Sequence, residues 1–272
     1  MVYLGGAMTT TTAPVPVRSP LPWSLAGRTA VILGGSSGIG LAAAGLLASV
    51  GAHVLLVGRD KERLESAVAR VTEAGTDAAA EVRGVPADVT DGDAMEEVFA
   101  RAGSVDHVLM TAGYPSGIGP VTELGRDEAR AAVAAPAGAV LDIVRAAVPR
   151  MEPGGSITLS SGVLVARPRS GMAAPVAAAG AVETLARALA VELAPVRLRA
   201  NAIRYGAIDT PLLRSRYGAT GAGDAAMAEA GAAMPLGRFG TAEEAASAAV
   251  FLMANPYMSG EVLAVDGGQS LA

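Results

Sequence analysis

The residues best placed to do chemistry lie in Val31-Ile32-Leu33-Gly34-Gly35-Ser36-Ser37-Gly38-Ile39-Gly40, where an apolar run passes into spaced glycines. Gly34 lets the chain turn sharply, Gly38 lets backbone approach a pyrophosphate, and Gly40 brings the next helix close while its free N–H groups face the anion. Ser36 and Ser37 add hydroxyl donors. An Ala/Leu-rich helical pattern follows from Ile39 to Val50, then a Gly51 stop and a second apolar run from His53 to Val57. Glycines between strand and helix in that order are what a dinucleotide site needs, so the chain reads as a nucleotide binder.

Other chemistries are narrowed by composition. The 272 residues include no cysteine and two histidines, His53 and His107, both opening strand-like runs. Disulfides, thiolate nucleophiles and cysteine metal sites are excluded, and no histidine cluster suggests zinc; no metal site is expected. A net charge of −5 with scattered Lys and Arg gives no basic stripe, so no nucleic-acid partner is expected. Residues 1–24, with Thr9 to Thr12 and prolines at 14, 16, 20 and 22, read as an extended, disordered lead-in that lacks a secretory pattern. Met8 is an alternative start to Met1. No later segment reads as apolar for long enough to span a membrane, and a cytoplasmic location is expected.

From residue 25 to 272, short apolar strands alternate with amphipathic helices. That order predicts a single α/β domain of Rossmann type, a doubly wound parallel sheet of about seven strands with helices on both faces. Strands are predicted at Thr29–Leu33, His53–Val57, Glu81–Val85, His107–Thr111, Ser156–Ser160, Arg197–Ile203 and Glu261–Val265. Asp60 is read as the cap of a helix whose buried stripe is Leu64, Val68 and Val71 and whose end is Gly75. The Ala-, Gly- and Met-rich stretch at about 212–234 breaks the rhythm and is read as a small mobile lid over an apolar substrate.

From about Leu25 onward the chain resembles the short-chain dehydrogenase/reductase family. The glycine loop is similar to the family's TGxxxGIG, with Leu33 in place of threonine. Asp88-Val89 resembles its adenine contact, and Met110-Thr111-Ala112-Gly113 its NNAG turn with both asparagines replaced. Gly155-Ser156-Ile157 leading to Ser160-Ser161, Ala190 to Pro195, Asn201, Pro235 to Gly240 and Val265-Asp266-Gly267-Gly268 continue the series. The resemblance implies a homodimer or homotetramer. It also implies that Gly34, Ser36, Ser37, Gly38, Ile39, Gly40, Asp88, Val89, Ala112 and Gly113 bind cofactor. In Gly206-Ala207-Ile208-Asp209-Thr210, similar to the family's PGxxxT, the Ile208 backbone and Thr210 hydroxyl would orient the nicotinamide carboxamide.

The resemblance breaks at the proton chemistry. The family's YxxxK supplies a tyrosine acid and a lysine that lowers its pKa, and alignment puts Pro175 and Ala179 at those places; Met172 to Ala181 contains no tyrosine or lysine at all. The family's helix asparagine is also absent, with Ala135-Pro136-Ala137 in its region. Ser161, or its neighbour Ser160, remains to hydrogen-bond a substrate oxygen. A positioned acid contributes about 10² to 10⁴ in rate, which leaves three readings. Tyr114 or Tyr205 supplies the proton; or the substrate needs none, as an iminium does not; or the fold does no redox work and serves as a cyclase, isomerase or nucleotide-binding partner subunit.

The cofactor expected is NADP(H). Asp60 lies twenty residues beyond Gly40, but the second strand ends at Val57, so Gly58 occupies the tip that faces the ribose and carries no carboxylate. Asp60 is used as a cap, and Arg59 is free to reach a 2'-phosphate.

Overall fold

The computed structural model describes residues 23–75, 80–113, 115–218 and 221–272. Seven strands form one all-parallel sheet in the order β3-β2-β1-β4-β5-β6-β7. They are β1 (Thr29–Leu33), β2 (His53–Gly58), β3 (Val82–Pro86), β4 (Val105–Met110), β5 (Met151–Gly162), β6 (Arg199–Tyr205) and β7 (Val262–Val265). All seven expected strands are present. β5 begins five residues earlier than expected because Met151 pairs with Val105 ahead of a register shift. β6 starts later because Arg197 takes a left-handed conformation, φ 58°, that ends the preceding 3-10 turn. Most of the expected lead-in lies outside the described residues; Trp23 already donates its N–H to the Ala254 carbonyl at 3.2 Å.

Helices cover both faces: α1 (Gly38–Ser49), α2 (Lys61–Ala74), α3 (Gly92–Ala102), α4 (Arg126–Ala147), α5 (Ala173–Glu192), α6 (Pro211–Arg214), α7 (Gly221–Ala232) and α8 (Ala242–Ala254). Asp60 caps α2 as expected, accepting from the Arg63 N–H at 2.9 Å. Because side chains alternate along a strand, the sheet divides its residues between two cores. Ile157 and Leu159 of β5, with Ala200 and Ala202 of β6, pack with α3, α4 and α5. Ile203 and Tyr205 of β6, with Ile32 and Leu109, pack with α1, α2 and α8. α6 and α7 occupy the segment read as a lid, with Met227 buried and the Tyr217 and Phe239 rings 6.4 Å apart.

Contrary to the sequence expectation, α4 (counted through Arg150) and α5 are long and apolar enough to meet the length and hydropathy of a membrane span. Both pack against the sheet, and a core helix of a sheet protein meets the same criterion.

Several polar groups at the amino ends of the strands are paired within the protein. Arg199, buried at the amino end of β6, donates to the carbonyls of Leu252, Met253 and Met258 at 2.8, 2.9 and 3.0 Å, closing the end of α8. His107 Nδ1 lies 2.9 Å from Ser156 Oγ. Burial lowers the His107 pKa to about 4; Asp106 opposes the shift, and Arg199 and Arg28 reinforce it.

The folded-state pKa of His107 is depressed, so its contribution to stability is present above the ordinary 6.5 and is lost as pH falls toward 4. The loss across that window is on the order of 3 kcal/mol. Urea unfolding followed between about pH 7 and 5 is expected to show this slope in the native sequence. It should be flatter in His107→Gln, which keeps an amide for Ser156; identical slopes would remove His107 as the cause.

Candidate functional site

The carboxyl ends of the strands gather the glycine loop and the turns after β4, β5 and β6 on one edge. Leu33, the last residue of β1, fixes two of these: its carbonyl accepts from the Thr111 and Ala112 N–H groups at 2.8 and 2.9 Å. That contact leaves no room at Gly34, whose φ is +93° and where a Cβ would lie 2.5 Å from the Ala112 nitrogen. Gly40 is equally confined, since a Cβ there would run into the Gly34 carbonyl. Ser37 caps α1 in an extended conformation with no side-chain hydrogen bond to the helix. Its hydroxyl and the first-turn N–H groups of Gly38, Ile39 and Gly40 therefore present a donor-rich cradle to an anion. Thr210 joins the cradle from β6, its methyl 3.3 Å from where a Cβ at Gly38 would stand.

The rest of the expected cofactor track lies on the same edge. Asp88 accepts from the Thr90 N–H and hydroxyl at 2.9 and 2.8 Å, bonds that hold its carboxyl below the usual range against the opposing effect of burial. Its other oxygen is 3.8 Å from Arg59, whose side chain is exposed. Val89 packs on the core beneath, and Gly113 has open space around its Cα. A side chain at Gly58 would meet Ser36 Oγ at 3.0 Å, so Ser36 lies beside the β2 tip. Ile208 is buried, and the backbone around it pairs with Gly240. Thr210 donates to the Ile208 carbonyl at 3.3 Å and caps α6. The cradle, left open by glycine and lined with free donors, fits a pyrophosphate.

The candidates for chemistry separate by sheet face. Ser161 continues the Ile157, Leu159 alternation, and Arg204, its register partner on β6, continues Ala200 and Ala202; both face α5. There they meet Glu183. Ser161 donates to Glu183 Oε1 at 2.8 Å, and Arg204 grips both oxygens at 2.8 and 2.6 Å through Nε and Nη2. Burial pushes the Glu183 carboxyl up, but the hydrogen bonds from Arg204 and Ser161 outweigh it and hold the group ionised. The bond to Glu183 raises the Arg204 pKa further. The single proton of Ser161 is thus committed to Glu183, and what Ser161 offers a ligand is lone pairs.

Tyr205, one residue on, faces the opposite side of the sheet. Its hydroxyl is buried without a hydrogen-bond partner, and burial raises its pKa. Ser160 and Thr158 also carry buried hydroxyls with no partner. Tyr114 lies outside the described residues. Pro175 and Ala179 stand half-buried in the first turns of α5, and the Ala179 carbonyl is 3.4 Å from Ser161 Oγ. Sequence reasoning passed over Glu183 and Arg204. The signal was an acid amid the apolar run of α5, with Arg187 the nearest charge in sequence, and a lone cation in Asn201-Ala202-Ile203-Arg204-Tyr205, an otherwise buried stretch of strand.

A family model described as enoyl-(acyl carrier protein) reductase matches residues 34–270. Short-chain dehydrogenase/reductase ATR9 of Stachybotrys chlorohalonatus is 32% identical, the match covering 91% of this chain and 99% of that protein. Among solved structures, an NADPH-bound short chain oxidoreductase of Pseudomonas aeruginosa, described as containing an atypical catalytic center, superposes with a TM-score of 0.82. It is 29% identical over 92% of this chain and all of that one. L-Sorbose reductase of Gluconobacter frateurii, complexed with NADPH and L-sorbose, gives 0.83 at 26% identity, covering 93% and 100%.

Gly34→Ala should weaken binding of NADPH, read by its fluorescence, by at least about tenfold, or ~1.4 kcal/mol, because the new methyl forces the Ala112 turn away from β1. Gly45→Ala, in α1 with open space around it, is the control. It should leave binding alone and stabilise the helix by about 0.5–1 kcal/mol.

Proposed function

The chain belongs to the short-chain dehydrogenase/reductase family and is an oxidoreductase of the NAD(P)-dependent type. On that basis we propose that it is an NADP(H)-dependent reductase of a small, largely apolar carbonyl or imine substrate, working without the family's tyrosine and lysine. The carrying observation is the first two turns of α5, where Pro175 and Ala179 stand and neither tyrosine nor lysine occurs between Met172 and Ala181. A relative of the same size binds NADPH in a structure described as having an atypical catalytic center. That description supports reading the departure as a variant of the chemistry rather than the loss of it.

Each part of the edge has a role in this reading. The α1 N-terminus and Ser37 hold the pyrophosphate, while the Ile208 backbone and Thr210 orient the nicotinamide. Arg59 takes the 2'-phosphate; its contact with Asp88 at 3.8 Å is loose enough to yield to a charged fork pairing with phosphate. When bound, the dinucleotide supplies the hydride. The segment carrying α6 and α7, with Met234 and Leu236 beyond them, provides apolar surface for the substrate. Tyr205, buried on the far face with a raised pKa, serves packing. α4 and α5 leave Leu141 and Val191 exposed, an apolar surface suited to a second copy of the chain, so a homodimer or homotetramer acting in the cytoplasm completes the proposal.

Arg59→Ala is expected to weaken NADPH binding by about 1.5–3 kcal/mol and leave NADH binding unchanged. Equal affinity of the native sequence for the two cofactors would overturn the NADP(H) assignment. Tyr205→Phe is expected to keep kcat within about twofold and to hold or raise stability, since it deletes a buried hydroxyl without a partner. A loss of about 10² or more in kcat would return Tyr205 to the role of acid.

A further inference from the structure

The reductase reading leaves open what meets the reacting oxygen, and the α5 face of the sheet holds one group equipped to do so. We propose that Arg204, held in place by Glu183, is the hydrogen-bond donor to the substrate's oxygen, and that the enzyme therefore acts on electron-poor carbonyl compounds. This rests on the reductase reading and narrows it.

A guanidinium carries five N–H donors. Glu183 takes one from Nε and one from Nη2, which leaves the Nη1 end of the fork without a hydrogen-bond partner among the described residues. The side chain as a whole is not sealed: Arg204 keeps 21% of its side-chain surface exposed, against 4% for Glu183. Its position is at the carboxyl end of β6, register partner of Ser161, on the edge where parallel sheets bind ligands. Asp266 contributes negative charge nearby and Arg187 positive charge beside Glu183, so the cluster carries little net charge and does not demand an anionic substrate. An ion pair buried only to stabilise a fold gives little over apolar residues of the same volume. A half-satisfied fork, held by Glu183 at the sheet edge and partly exposed, is what a developing oxyanion requires.

The chemistry sets the substrate class. The carbonyl carbon gains hydride from the reduced nicotinamide, the C=O π pair moves onto oxygen, and the alkoxide formed is held by the Arg204 N–H groups. Arg204 stays protonated throughout, because a guanidinium does not release its proton in this range. Solvent water protonates the alkoxide, leaving alcohol, oxidised nicotinamide and hydroxide. Without a transferable proton, only a weakly basic alkoxide forms readily, which selects electron-poor carbonyls over simple ketones.

The test uses the full chain with two probes, 2,2,2-trifluoroacetophenone with NADPH for turnover, and cyclohexanecarboxylate with the NADP-loaded protein for binding of an anionic oxygen. The variants are Arg204→Lys and the neutral pair Arg204→Gln/Glu183→Gln, which leaves no unpaired buried charge. For the neutral pair we expect NADPH affinity within about twofold of the native sequence and an unchanged unfolding profile. Carboxylate binding should fall by at least about tenfold and kcat on the trifluoroketone by about 10² or more. Arg204→Lys should recover only part of either, since lysine lacks the fork. Carboxylate binding and turnover in the neutral pair equal to the native values would overturn the role of Arg204. Native protein that binds NADPH and carboxylate, the latter dependent on Arg204, but reduces no carbonyl would sink the reductase reading while leaving Arg204 as the oxyanion donor. Native protein that reduces the ketone but binds no carboxylate would do the reverse.

Discussion

A single carbonyl, that of Leu33 at the end of β1, holds the working edge of this protein together. It receives the N–H groups of Thr111 and Ala112, and the Thr111 hydroxyl at 3.1 Å as well. The turn after β4 is thereby fastened to the loop that opens α1, and Gly34 and Gly40 are the residues that let the three backbones come so near. Everything downstream inherits this fixed point. The α1 N-terminus is aimed, Thr210 packs against it from β6, and the far ends of β5 and β6 are set one strand spacing at a time from β4.

The strict alternation of a β-strand explains both what was readable in the sequence and what was not. Strand and helix order, the glycine cradle and the Asp60 cap are local patterns, and they could be read residue by residue. Which side chains share a face at a strand's end depends on pairing register across neighbouring strands, and one position reverses the answer. Tyr205 and Arg204 illustrate this. Both end an apolar strand, and the tyrosine drew notice as a familiar proton donor, yet register sends it to the α8 side, while the less conspicuous arginine joins Ser161 and Glu183. Arg197 shows the complementary case: nothing in its neighbourhood signals the left-handed turn that delays β6, because that turn is imposed by the short 3-10 segment after α5.

Charge inside the molecule is arranged by strand polarity. At the amino ends, Asp106 draws in Arg28 and the Thr29 N–H at 2.7 and 2.8 Å, and Arg199 is absorbed by carbonyls at the end of α8. Both Nη groups of Arg199 are taken up in this way, and its buried Nε is left without a partner among the described residues. At the carboxyl ends, Glu183 is fully enclosed but Arg204 is only half engaged. The two ends have the same materials and differ in access: Arg199 is 7% exposed, whereas the Arg204 side chain keeps 21% of its surface open on the edge where the cofactor cradle lies. A buried hydroxyl without a partner, as in Thr158, Ser160 and Tyr205, marks a third situation, polar atoms tolerated within an apolar layer at some cost to stability.

The last turn of the chain is bound into the same edge. Gln269 receives the Ala207 N–H on its side-chain oxygen at 2.8 Å and Arg167 on its carbonyl at 3.1 Å, while Asp266 takes the N–H groups of Gly268 and Ser270. One residue, 62 positions beyond Ala207 and 102 beyond Arg167, thus ties the loop after β5 to the loop after β6. Anyone grafting a different carboxyl terminus onto this scaffold would have to keep the side-chain oxygen of Gln269, whereas Arg167 asks only for the backbone carbonyl at that position. A terminus without that oxygen would leave the β6 loop that presents Ile208 and Thr210 without its brace, and the chimera would fail at a distance from the seam.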